Sequence, residues 1–177
     1  MKKQLSNKPE HLSNTSEQKI MEFFFENPSV KLTVRELGKK LKLSPSTLHI
    51  YLLRLRKEGF LSKDNQWIDN WYNRLIKSNY YAEKFSKSGL IDYLDQELAA
   101  SCILLFGSFR KGESNQESDI DFFVECGKNK KVDLARFEKK LGHKIQLFTQ
   151  PNINLLPKHL LNNVVNGIKI KGYFTLK

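Results

Sequence analysis

The stretch "LLFGSFRKGESNQESDIDFFVE", residues 104–125, decides how this chain is read. A run of apolar residues stops at Gly107-Ser108. After a ten-residue spacer an acidic pair appears, Asp119 and Asp121, and apolar residues resume at once. On a strand side chains alternate, so Asp119 and Asp121 leave on the same side, ~7 Å apart, while Ile120 and Phe122 enter the core. Two carboxylates held that close repel, and both stay ionised only with a cation between them. Mg²⁺, or Mn²⁺ in its place, suits hard oxygen donors, because it takes one or two carboxylates and completes its shell with water and phosphate. Gly107 allows a backbone to come close to a ligand, and the helix start that follows, with the Ser108 hydroxyl, favours an anion. Arg110 and Lys111 add positive charge just beyond. A calcium loop of the EF-hand kind does not fit this spacing. Two solvent-facing aspartates on a half-exposed strand remain an alternative, one that leaves Gly107-Ser108 unexplained.

Strands and helices alternate outward from this stretch. "CILLFG" and "DIDFFVE" read as strands, "VDLARFEKKLG" as a helix closed by Gly142, and "KIQLFT" as a third strand. "LLPKHLLNNVVNG" reads as a helix closed by Gly167 and "IKIKGYF" as a last strand. The result is a small α/β domain, too short for a dinucleotide-binding doubly wound fold.

"FGSFRKGESNQESDIDFFV" resembles the signature of the DNA polymerase beta-type nucleotidyltransferase superfamily, and is most similar to its minimal nucleotidyltransferases. Gly107, Ser108, Gly112, Ser118, Asp119 and Asp121 carry the match. The resemblance implies a mixed sheet over residues 100–177. It implies that Gly107 and Ser108, with Arg110, Lys111 and Ser118, bind a nucleoside triphosphate. Asp119 and Asp121 would hold Mg²⁺ (or Mn²⁺) and form the catalytic pair. The transferred group would be a nucleotidyl unit, often AMP, and the acceptor a protein or a nucleic acid; many relatives of this kind are antitoxins that modify a partner toxin. The family carries a third carboxylate on the next strand, and here that position falls on Gln146. Glutamine can lend an oxygen to a metal but has neither charge nor basicity. Glu125, on the face of Asp121, lies too far along the strand to replace it.

Residues 16–69 follow a different pattern. "SEQKIMEFFFEN" is a helix with Ser16 as N-cap. "LTVRELGKKLKL" opens on Thr33 with Glu36 three residues on, a capping box. In "LSPSTLHIYLLRLRKEGF" Ser44 caps, Pro45 takes the first helical position and Gly59 closes, with Leu48, Leu52 and Leu55 inward. "FLSKDNQWI" reads as a short hairpin. The set resembles prokaryotic winged helix-turn-helix regulators. By that resemblance the third helix enters the major groove of double-stranded DNA, with Ser46, Thr47, His49 and Ile50 facing bases. Arg54, Arg56, Lys57, Lys39, Lys40 and Lys42 would meet phosphates. A winged helix used for protein contacts is the alternative. A homodimer is the default for such a regulator.

Residues 70–99 read as a helical connector broken at Ser88-Gly89, its Trp71, Tyr72, Leu75 and Ile76 forming an apolar face for packing between domains or across a dimer. The whole is therefore expected to be α+β: a winged helix-turn-helix, a connector and a small nucleotidyltransferase-like domain. Residues 1–15 read as a polar, frayed tail without the apolar segment of a secretory signal. Cys102 and Cys126 sit among apolar residues without metal spacing, as reduced cysteines of a cytoplasmic protein do. The four histidines, His11, His49, His143 and His159, form no ligand pair. No apolar run approaches the roughly 20 residues that span a bilayer. A net charge of +11 fits a polyanionic partner.

Three readings stay open. The chain is a Mg²⁺-dependent nucleotidyltransferase with a DNA-binding domain; or a regulator whose weakened transferase domain binds nucleotide or a partner; or a helix-turn-helix protein whose second domain only dimerises.

Overall fold

Helix signals in the first part of the chain act within a few residues, and the fold obeys them. The structure is a computed structural model that describes residues 15–127 and 130–177. The expected tail, apart from Thr15, lies outside them. Two units separate, one ending at Ile68 and the other running from Asp69 to Lys177.

In the first unit α1 (Thr15–Glu26) carries Ile20, Phe24 and Phe25 into the core. Ser16 is not its cap, because the helix already includes Thr15. α2 (Val34–Leu41) begins at the Thr33–Glu36 capping box, both halves of which form. α3 (Pro45–Lys57) starts on Ser44, whose side chain accepts from the Thr47 amide. Its inward stripe is Leu48, Leu52 and Leu55, all buried. The hairpin narrows to one antiparallel bridge, Leu61 to Trp67, turned through Asn65 at φ 58°. The Trp67 ring fixes it, stacked on Phe60 and edge-on to Phe25.

The second unit is built on a four-stranded mixed sheet in the order β3-β2-β1-β4. The strands are β1 (Cys102–Phe106), β2 (Ile120–Glu125), β3 (Ile145–Gln150) and β4 (Ile168–Gly172). β1 runs antiparallel to β2 and to β4, whereas β2 and β3 are parallel. The parallel pair needs a crossover, and α7 (Ala135–Leu141) supplies it. α6 (Gly107–Lys111) directly follows β1, and α8 (Lys158–Val165) precedes β4.

Helices cover both faces of the sheet. Phe123, Leu104, Phe106 and Cys102 point to one side, against Ile153, Leu156 and Val164. On the other side Phe122 meets Phe85 of α4 (Trp71–Lys87), which with Tyr81 also packs edge-on against Phe109. α4 and α5 (Leu90–Leu98), read from sequence as a connector, are thus part of the sheet's own unit, and the Ser88-Gly89 break falls between them.

Within its own unit α4 buries a face other than the apolar stripe expected to pack between domains or across a dimer. Trp71, Tyr72 and Leu75 are exposed, and the helix buries Asn73, Lys77, Ser78, Tyr81 and Phe85. The buried polar groups meet backbone carbonyls of the neighbouring segment. The Lys77 ammonium donates to the Ser114 carbonyl, and the Ser78 hydroxyl donates to the Arg110 carbonyl at 2.6 Å. A buried carbonyl without a donor is costly, so polar side chains win these positions over Trp71 and Leu75.

Candidate active site

The second unit gathers its unusual chemistry where β1 ends and β2 begins. Asp121 lies in β2 opposite Phe106 of β1 and Gln146 of β3. Asp119 stands one residue ahead of the strand, and the Gln146 amide Nε2 donates to its Oδ2 at 2.6 Å. The paired register puts Gln146 on the face of Asp121, so a neutral amide, not a carboxylate, is the third member of this group.

Gly107 explains how β1 and the carboxylates come so close. It turns the chain from β1 into α6 at φ +70°, a conformation that L side chains rarely adopt. A β-carbon there would stand 2.0 Å from the Asp121 Oδ2. Only glycine fits. Gly112, at the other end of α6, has the same need: a β-carbon would lie 2.2 Å from the Arg74 carbonyl oxygen of α4. The glycines of the motif therefore fix α6 between the carboxylates and α4.

The electrostatics of the pair are unfavourable in isolation. The Asp121 carboxyl is pushed up from 3.8 to about 6, chiefly by burial and secondarily by the charge of Asp119. A buried carboxylate beside a second one gains most from a cation. The donor set of two aspartate oxygens, with the Gln146 amide oxygen in reach after rotation, fits a hard divalent ion that keeps water or phosphate in its remaining positions. Among the described residues no group of three His, Cys, Asp or Glu side chains could hold a metal ion.

The other predicted residues divide. Ser108 is half-buried on α6, and no side chain caps that helix. Arg110 and Lys111 are exposed on its last turn. The Ser118 hydroxyl is engaged locally, accepting from the Asn115 amide at 2.9 Å and contacting its side-chain oxygen at 3.3 Å. Glu125 accepts from the Ile153 amide at 2.8 Å and from the Ser101 hydroxyl at 3.0 Å, a structural task away from the pair. The loop between α6 and β2 is held by Lys77 on Ser114 and by Arg74 on Glu113, neither of which the sequence motif signals.

These observations match known proteins. Residues 87–174 match the family model of the nucleotidyltransferase domain, and residues 13–62 that of the winged helix-turn-helix DNA-binding domain. Two proteins of Methanocaldococcus jannaschii that carry protein adenylyltransferase in their names are similar. One is 35% identical over 34% of this chain and 68% of its own length, and the other is 37% identical over 35% and 73%. The chain belongs to the nucleotidyltransferase family. No solved structure matches it. The family brings an NTP substrate and a divalent metal in general terms. Among the described residues no helix is long and apolar enough to cross a membrane.

In the winged helix-turn-helix domain, Ser46, His49, Ile50 and Lys57 are exposed along α3, with Ile50 66% accessible. Thr47 is partly covered, its hydroxyl 2.8 Å from that of Ser44. Lys42 is exposed in the turn after α2, and Lys40 lies over the Phe23 ring. Arg54 and Arg56 are already directed at protein. Arg54 pairs with Glu58 at 2.9 Å and with Glu17 of α1 at 3.4 Å. Arg56 donates twice to the Asn65 side chain in the hairpin turn. These two residues brace α3, and sequence spacing alone could not show their partners.

Proposed function

We propose that this nucleotidyltransferase moves a nucleotidyl unit, AMP, from an NTP to a hydroxyl of an acceptor, using Mg²⁺ or Mn²⁺ held by Asp119 and Asp121. The single observation that carries the reading is the Asp121 carboxylate, set against Gly107 and beside Asp119, where burial and the second charge favour a bound cation. In the reaction the acceptor oxygen attacks the α-phosphorus, a new O–P bond forms, and the bond to the β-phosphate oxygen breaks to release pyrophosphate. A divalent ion held by Asp119 and Asp121 would neutralise triphosphate charge and help to align the attacking and leaving oxygens. Through that ion Asp119 and Asp121 would place the reacting end of the triphosphate. The backbone of Gly107 and Ser108, with Arg110 and Lys111, takes the anionic tail. Ser118 supports the turn that delivers Asp119. Gln146 offers no base, so the proton of the acceptor leaves to solvent. The names of the two relatives favour AMP and a protein acceptor. A partner toxin, modified by an antitoxin-like chain, is an acceptor of this kind. The winged helix binds double-stranded DNA through Ser46, Thr47, His49 and Ile50, with Lys42 and Lys57 on phosphates, and regulates transcription as a cytoplasmic homodimer.

A second reading draws on Gln146. A site without a third carboxylate can bind nucleotide and cation yet turn over slowly or not at all. The protein is then a DNA-binding regulator that responds to nucleotide. Incubation with α-labelled NTPs, Mg²⁺ or Mn²⁺ and a lysate of the host tests both. Label transferred by wild type and not by Asp119→Asn/Asp121→Asn supports the enzyme. Binding of metal and NTP without transfer supports the regulator, and no binding rejects both.

A further inference from the structure

Asp119 lies outside the regular part of β2, yet it must be held as firmly as Asp121 for the two to act together. Its two backbone neighbours are fixed by one short segment. The Ile120 amide donates to the Lys144 carbonyl at 2.8 Å. The His143 Nδ1 lies 2.8 Å from the Ser118 carbonyl oxygen. A carbonyl can only accept, so Nδ1 carries the proton and donates. The His143 ring is buried and stands edge-on to Phe109 at 4.9 Å. Phe109 belongs to α6, the helix that begins with Gly107 and Ser108, and its ring is itself locked by Tyr81 and Phe85. Two residues after His143, the Ile145 amide donates to Glu138 of α7 at 3.0 Å, which fixes the segment from behind.

We propose that His143 is a positioning residue for Asp119: its Nδ1–H holds the Ser118 carbonyl while its ring seats on α6, so that the carboxylate pair and the Gly107-Ser108 turn form one rigid body. The inference rests on Asp119 and Asp121 being the metal pair. The histidine never meets substrate. It acts as an outer hydrogen-bond partner acts on a ligating side chain, by setting orientation.

Three variants of the full chain separate this role from simple packing. His143→Asn keeps a donor at the place of Nδ1. His143→Gln moves the donor one bond further out, and His143→Phe keeps an aromatic edge for Phe109 without any donor. Mn²⁺ affinity is read by electron paramagnetic resonance of the free ion, without nucleotide. Urea unfolding in EDTA is read alongside, and the Nδ1–H of His143 is followed by NMR in the metal-free protein. The expected result is a slowly exchanging Nδ1–H in wild type. His143→Gln and His143→Phe should weaken Mn²⁺ binding by about 10- to 100-fold, and His143→Asn should restore most of it, whatever the order of stabilities. Equal Mn²⁺ affinity in wild type and His143→Gln, or an Asn variant as weak as the Gln variant, overturns the role. A wild type that does not bind Mn²⁺ overturns the metal pair itself, and the positioning role with it. That failure shows in wild type alone, before any His143 variant is compared.

Discussion

The Asp121 carboxyl, raised from 3.8 to about 6 by burial first and Asp119 second, is ionised at neutral pH only against the preference of the fold. Asp121→Asn removes that charge and keeps the shape. Below about 3.8 the carboxyl is protonated in both the folded and the unfolded chain, so it contributes no difference. Between 3.8 and about 6 the unfolded chain releases its proton first, and wild type loses stability as pH rises. Above about 6 both states are ionised and the penalty is constant. The displacement corresponds to at most about 3 kcal/mol. The side chain is half-buried, and solvent screening reduces the figure to about 1 kcal/mol. Urea unfolding of both proteins in EDTA from pH 4 to pH 8 reads the carboxylate pair, since titrations elsewhere in the chain are common to the two proteins. The variant is expected to be more stable by about 1 kcal/mol at pH 7.5, with the gap closing as pH falls. Saturating Mn²⁺ should reverse the order, because wild type alone gains about 2.7 kcal/mol at a metal concentration 100 times its dissociation constant. A variant less stable than wild type at pH 7.5 in EDTA, or a gap that does not change with pH, would refute the argument.

Gly107→Ala forces a left-handed alanine, at about 1–2 kcal/mol, and drives its β-carbon into Asp121. It should lower both the unfolding midpoint and Mn²⁺ affinity, and unchanged metal binding would remove Gly107 from the site. Phe109→Ala opens the junction of α4, α6 and His143 and should cost about 3–5 kcal/mol in urea; a loss below 1 kcal/mol would mean that this cluster is not the core it resembles. On duplex DNA, Lys42→Gln should weaken binding and flatten the salt dependence by about one unit of slope. Arg54→Gln, whose guanidinium faces Glu17 and Glu58, should instead lower thermal stability with a near-wild-type slope.

The residues legible in the sequence were those whose physics is local. Thr33 with Glu36, and Ser44 with Pro45, declared two helix starts within four residues each, and the caps form as read. Gly107 announced a close approach to a ligand, and what the fold places against it is the Asp121 carboxylate. The resemblance placed Gln146 where the third carboxylate belongs, and the parallel pairing of β2 and β3 sets it beside Asp121. Contacts between distant segments were not legible. The apolar stripe of Trp71, Tyr72 and Leu75 suggested a buried face, but the carbonyls of Arg110 and Ser114 select Ser78 and Lys77 instead. Arg54 and Arg56 were expected to meet phosphates, and their contacts with Glu17 and Asn65, 37 and 9 residues away, were not legible. His143 carried no signal, since its task depends on Ser118 and Phe109 meeting it in space.

Gln146 then decides how far this chain can be an enzyme. Its amide donates to Asp119 at 2.6 Å, so one carboxylate oxygen is occupied whenever no cation competes for it. Two carboxylates balance one divalent charge, and a second cation at this place would need its counter-charge from the triphosphate itself. Gln146→Glu supplies that charge from the protein. In calorimetry with a non-hydrolysable NTP, wild type is expected to take up one Mn²⁺ with the nucleotide, and the Glu variant two. If the variant gains the second ion and also transfers label faster, the neutral amide restrains turnover in a site otherwise complete. If both proteins bind two ions, the missing carboxylate is not what limits this domain, and the nucleotide must supply the charge that Gln146 withholds.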